Sequence, residues 1–127
     1  MQERPVYLDL TKIRLPMSAF SSITHRLSGM YIFFITLPLI LYVIDLSLSS
    51  RSNFDKLAGD IVSISFFSFF LLISISIFWY HILTGIRHLI MDFFHVGESL
   101  NGSYYSSIFT LVLWVLTSII FFGYLFI

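Results

Sequence analysis

The chain has 127 residues, of which 57% are hydrophobic and 11% charged, and its formal net charge is zero. A mean hydropathy of +0.92 excludes an ordinary soluble domain of this length. It fits a small polytopic membrane protein with no room for a separate catalytic domain. Cysteine is absent, which excludes disulfides, thiolate metal sites, iron–sulfur ligation by this chain and Cys-attached haem.

Residues 1–20 mix charges with Pro5 and Pro16 and lack the apolar core and cleavage site of a signal peptide. They read as an ordered or surface-lying segment before the first span. Crossing the hydrocarbon core takes about 20 apolar residues. The first stretch of that kind lies within 22–47 and contains Pro38, which is expected to kink it. Ser47 to Lys56 reads as the first loop. The second span lies within 60–90 and is expected to continue as helix to Phe94. Gly97 to Gly102 has the turn chemistry of a second loop, and the third span covers 104–127. The expected fold is all-α: one membrane-anchor domain over 1–127, an integral bundle of three transmembrane helices. Tyr42, Trp114 and Tyr124 are candidates for the interfacial aromatic belts.

Orientation follows from Lys and Arg. Arg4, Lys12, Arg14 and Arg26 precede the first span and Arg87 follows the second, whereas Arg51 and Lys56 lie opposite. The N-terminus is therefore expected on the cytoplasmic (or matrix) side and the C-terminus on the other. This topology brings the start of the first span level with the end of the second.

Those two ends hold the chemistry. Ile61 to Tyr80 has no charged residue or histidine, and then His81, Arg87 and His88 arrive together. Ionisable groups at membrane depth are costly and point to function. On a helix His81, Gly85 and His88 share a face, so Gly85 clears space beside an imidazole. That pattern reads as a haem axial ligand at His81, with Gly85 accommodating the ring. A histidine hydrogen-bonded to a neighbouring helix, and a glycine serving helix packing, are the plainer readings. His88 lies about 10 Å further along the axis at 1.5 Å per residue, so the two histidines do not share one iron. Span one offers only His25 and span three no histidine. One haem is expected, with its second ligand from another chain; Met30 and Met91 are the in-chain candidates, though Met91 lies too far down the same helix from His81.

His25 and Arg26 suit anionic haem propionates, although Arg26 alone also reads as an anchor snorkelling to the headgroups. Ser22 and Arg26, one helical turn apart, can hold a quinone carbonyl and stabilise charge as it is reduced. Asp92 and Glu98 are candidates for delivering the protons consumed, or else a solvated helix end. Asp45 is given no role.

Two segments together resemble a known family. Arg4-Pro5-Val6-Tyr7-Leu8-Asp9-Leu10, Pro16, then Ser22-Ile23-Thr24-His25-Arg26-Leu27-Ser28-Gly29 is similar to the large cytochrome b anchors of succinate dehydrogenase, respiratory complex II. His81 with Gly85-Ile86-Arg87-His88-Leu89 and Asp92 resembles their haem helix, and the likeness covers essentially the whole chain. The closest likeness is to the bacterial form with a single haem b. The resemblance implies non-covalent haem b held by His81 and by a small anchor subunit. It implies a ubiquinone site at Ser22 and Arg26, propionate contacts from His25 and Arg26, and proton delivery near Asp92 and Glu98. The implied partners are that small anchor, an iron–sulfur subunit, a flavoprotein subunit and the lipid bilayer, with no nucleic acid. The expected location is the bacterial inner membrane, ahead of the mitochondrial one. Succinate would be oxidised in the flavoprotein, with no such chemistry in this chain. The alternatives are a fumarate reductase anchor oxidising quinol, or a haem-free structural anchor.

Overall fold

The computed structural model describes residues 15–97 and 99–125, so Arg4, Lys12, Arg14 and Glu98 lie outside the described residues. The helices are α1 (Met17–Tyr31), α2 (Leu37–Ser49), α3 (Arg51–Val62), α4 (Phe66–Phe94) and α5 (Leu100–Leu125), with a π-helical turn, Ile32–Thr36, joining α1 to α2. Met17–Ser49 forms one span of 33 residues; this span, α4 and α5 are long and apolar enough to cross a membrane. The three-span all-α architecture is that expected from hydropathy.

Burial is inverted relative to a water-soluble domain. Phe34 and Ile120 are each 70% exposed, whereas the fully buried side chains are Thr36, Thr84, Ser21, Ser68, Ser74 and Ser107. Lipid supplies no hydrophobic drive between helices, so small residues that let backbones approach form the contacts; of these six, Ser74 also bonds across to another helix. Large apolar side chains then face the hydrocarbon.

Pro38 acts one turn upstream of itself. In a regular helix its ring would collide with the carbonyl of Phe34, and it has no N–H to donate. The preceding backbone widens, so that the N–H of Leu37 bonds to the carbonyl of Ile32, five residues back. The expected kink is therefore realised as a π-turn.

The segment read as the first loop is corrected by the structure. Ser50 alone is extended; it caps α3 by accepting from the Asn53 N–H at 3.1 Å. An exposed ion pair between Arg51 and Asp55 at 3.2 Å follows one turn on. Ile61, read within the second span, belongs to α3, and α4 starts at a capping box between Ser65 and Ser68. Helix α4 ends at Phe94, as expected, with His95 in the left-handed region at φ 52°. Gly97 at φ 82° completes the turn into α5, which begins at Leu100 rather than near 104.

Three of the inter-helix hydrogen bonds share one pattern. Tyr31 bonds to Ser74 at 3.2 Å, Trp79 to Thr117 at 2.8 Å and Arg87 Nε to Ser106 at 3.0 Å. Ser74, Thr117 and Ser106 each donate to a carbonyl of their own helix. Each hydroxyl proton thus stays within its helix, and the oxygen accepts from the neighbour. Trp114, expected in an aromatic belt, instead turns inward and donates to the Ser76 carbonyl at 2.9 Å.

Candidate functional site

The antiparallel packing of α1 on α4 brings the two polar segments together. Ser22, His25 and Arg26 of α1, with His81, Gly85, His88 and Leu89 of α4, line an open cleft of about 520 Å³. Because α1 begins at Met17, Ser22 and Arg26 lie one turn apart on the same helix, as the quinone reading requires. Arg26 is exposed and has no hydrogen bond or ion pair among the described residues.

The histidines form a cluster that spacing on one helix does not reveal. The His25 ring stacks on His81 with centroids 4.2 Å apart and planes 11° from parallel. It also meets His88 at 5.2 Å and 52°. Imidazole lone pairs lie in the ring plane, so face-stacked rings do not point their nitrogens at a common atom between them. His25 is thus not placed to ligate an iron from the side opposite His81. No group of three or more His, Cys, Asp or Glu among the described residues is arranged to hold a metal ion.

Two glycines set how closely the rings approach. A Cβ on Gly85 would stand 3.5 Å from His25 Nε2, an ordinary contact, while one on Gly29 would stand 3.2 Å from His81 Cε1. Gly85 borders the cleft as expected, but the tighter constraint is Gly29, which the sequence reading did not single out. The signal available for it was the Ser28-Gly29 pair that closes the first motif.

His81 is held on one nitrogen only. Its Nδ1 lies 2.9 Å from Ser28 Oγ and 3.2 Å from the His25 carbonyl. No hydrogen bond engages its Nε2 among the described residues. His25 Nε2 is buried and likewise has no partner among them. The remaining candidates fall outside the cleft. Asp92 is exposed on the last turn of α4, and Met30 is 57% exposed on the outer surface of α1. Met91 does not line the cleft either.

Arg87, read from sequence as an orientation charge and as part of the polar cluster with His81 and His88, is 7% exposed and does not line the cleft; it turns into α5 instead. Its guanidinium donates to Ser106 Oγ at 3.0 Å and to the Ser103 carbonyl and hydroxyl at 3.0 and 3.1 Å.

Comparison with known proteins bears on the family. The family described as the succinate dehydrogenase/fumarate reductase transmembrane subunit matches residues 1–121. The chain is 37% identical over 90 residues to the succinate dehydrogenase cytochrome b556 subunit of Coxiella burnetii (strain RSA 493 / Nine Mile phase I), covering 71% of each chain. A three-span apolar bundle with a histidine-lined cleft between its first two spans, matched over nearly its whole length, belongs to the succinate dehydrogenase/fumarate reductase transmembrane subunit family as a cytochrome b membrane anchor.

Proposed function

We propose that this chain holds half of a haem b site and part of a ubiquinone-reduction site in a succinate dehydrogenase. The observation that carries the reading is His81, fixed through Nδ1 with Nε2 uncommitted, at a cleft that also presents Arg26 and Ser22. The donor set fits the group. A neutral imidazole is a haem ligand, and an arginine that has no hydrogen bond or ion pair among the described residues and lines the cleft beside His25 suits anionic propionates. Bound there, haem b supplies reversible one-electron transfer.

The chain's own residues divide the remaining work. His81 Nε2 would bind iron, and Gly85 adds no side chain of its own to the helix surface that the His25 ring approaches. Arg26 and His25 hold carboxylates at the cleft mouth. Ser22 and Arg26 donate to a quinone carbonyl and stabilise negative charge as it develops. Asp92, with Glu98 beyond it, delivers protons from the same membrane face. The stacking of His25 on His81 supports a second iron ligand that would come from a small anchor subunit. Electrons arrive from succinate through flavoprotein and iron–sulfur subunits, and this chain adds no succinate chemistry. The Lys and Arg balance supports a cleft on the cytoplasmic side of a bacterial inner membrane, with the C-terminus opposite.

Copurification of the chain with its partners, followed by a reduced-minus-oxidised spectrum, tests this. A b-type band is expected; its absence from the intact complex overturns the haem reading. Turnover with ubiquinone against menaquinone separates succinate oxidation from fumarate reduction.

A further inference from the structure

We infer that Ser28 is a positioning residue for His81: it accepts the Nδ1–H proton and thereby sets the tautomer, ring orientation and donor strength of the iron ligand. This rests on the haem reading above.

Three distances carry the argument. Ser28 Oγ donates to the His25 carbonyl at 2.7 Å, and His81 Nδ1 lies 2.9 Å from that same oxygen and 3.2 Å from that same carbonyl. A serine has one proton, and here it is directed at the carbonyl. The carbonyl offers only lone pairs, so a favourable contact with Nδ1 requires a proton on Nδ1. Nδ1–H therefore donates to Ser28 Oγ and leans toward the carbonyl. The lone pair is left on Nε2, the nitrogen that ligation needs.

Four other hydroxyls of the bundle support this assignment independently. Thr24 donates to the Phe20 carbonyl, and its oxygen meets the Tyr80 hydroxyl at 2.5 Å. Ser74, Thr117 and Ser106 likewise donate within their own helix and accept from Tyr31, Trp79 and Arg87. Ser28 with His81 is the same arrangement, with an imidazole as the donor. A serine bonding back to its own helix is common and by itself says nothing. Ser28 differs in being 6% exposed, with its oxygen taken by the ligand histidine.

Gly29 completes the support. Its missing Cβ lets the α1 backbone stand against the ring edge, 3.2 Å from Cε1 on an ideal Cβ position. Consecutive residues thus supply the acceptor and the space. Outer-shell acceptors of this kind raise the basicity of a metal-bound imidazole, which favours the ferric state.

The test compares Ser28→Ala and Ser28→Thr in the assembled complex, by redox titration of the haem and by the low-spin ferric EPR signal. Ser28→Ala is expected to raise the haem midpoint potential, shift the EPR signal and weaken haem retention about tenfold. Ser28→Thr keeps the hydroxyl and is expected to restore all three. An Ala variant indistinguishable from the parent, or a Thr variant shifted as far as Ala, overturns the proposal. So does failure of Ser28→Ala alone to assemble, which would assign the hydroxyl to helix packing. A parent complex with no b-type band instead refutes the haem reading itself.

Discussion

Arg26 and Arg87 sit at the same end of the bundle and live in opposite surroundings. Arg87 is nearly sequestered, and its guanidinium makes three hydrogen bonds to α5. Arg26 lines an open cleft with no protein partner among the described residues. The histidines repeat the contrast: His81 is held on one nitrogen, whereas His25 Nε2 is buried and unpaired. A buried polar group is normally satisfied, because leaving it unpaired in a low dielectric is costly. The α4–α5 seam therefore reads as a fastening. The α1–α4 cleft reads as a place where a ligand completes the bonding. Sequence distance hides this difference, since Arg87 lies closer to His81 along the chain than Arg26 does.

Removing the ligand should break that contrast most completely. His81→Ala is expected to abolish the b-type band of the assembled complex, while succinate oxidation with a soluble dye acceptor continues. A full-amplitude band in that variant would place the ligand elsewhere. Arg26→Leu comes next: loss of one charge-stabilising donor should lower quinone kcat/KM about 10²-fold. Thermal stability should barely move, because no protein partner loses a bond. Normal quinone turnover would make Arg26 a headgroup anchor and nothing more.

Much of this division was legible in the sequence. Long apolar runs marked the spans, and helical spacing placed Ser22 with Arg26 and His81 with Gly85. The hairpin topology required those pairs to meet. Three features resisted for physical reasons. Helix α3 is short and polar, and its strongest signal is a serine cap that equally marks a loop. The π-turn at Ile32–Thr36 is a local answer to a ring clash at Pro38, and no residue within it announces a widened backbone. Cross-helix partners depend on rotation about each helix axis, which apolar periodicity sets poorly when lipid and core are both apolar. Hence the stacking of His25 on His81, the support from Ser28 and Gly29, and the engagement of Arg87 with α5 emerge only in three dimensions.

The α4–α5 seam offers the converse test. Arg87→Leu deletes three hydrogen bonds, though the Ser103 carbonyl still accepts from Ser106 and Ser107. Bonds to charged groups contribute about 1.5–3 kcal/mol each in water, but the membrane reference state finds other partners and brings each nearer ~1 kcal/mol. A loss of about 2–4 kcal/mol is expected, read as a lower denaturation midpoint of the purified complex. Quinone kcat/KM should stay within about threefold of the parent, since the side chain does not touch the cleft. If turnover fell further than stability, the two seams would not be separate. Arg87→Lys should recover little, because an ammonium cannot span both serines as a planar fork does.

The smallest effect is expected at Trp114, and its size discriminates between two accounts of the same seam. Trp114 Nε1 donates to the Ser76 carbonyl at 2.9 Å, and its ring meets Tyr80 edge-on with centroids 5.2 Å apart. Phenylalanine keeps an aromatic face for Tyr80 and removes the N–H together with the smaller ring that carries it. The Ser76 carbonyl has two lone pairs, so losing the indole leaves it able to serve its own helix. Trp114→Phe should therefore cost about 0.6 kcal/mol, the ordinary value for an interhelical hydrogen bond in a membrane. A cost several times larger in the denaturation midpoint would mean that ring packing, rather than the hydrogen bond, fastens α5 to α4. The hydroxyl pattern seen at Ser74, Thr117 and Ser106 would then be a consequence of close packing and not its cause.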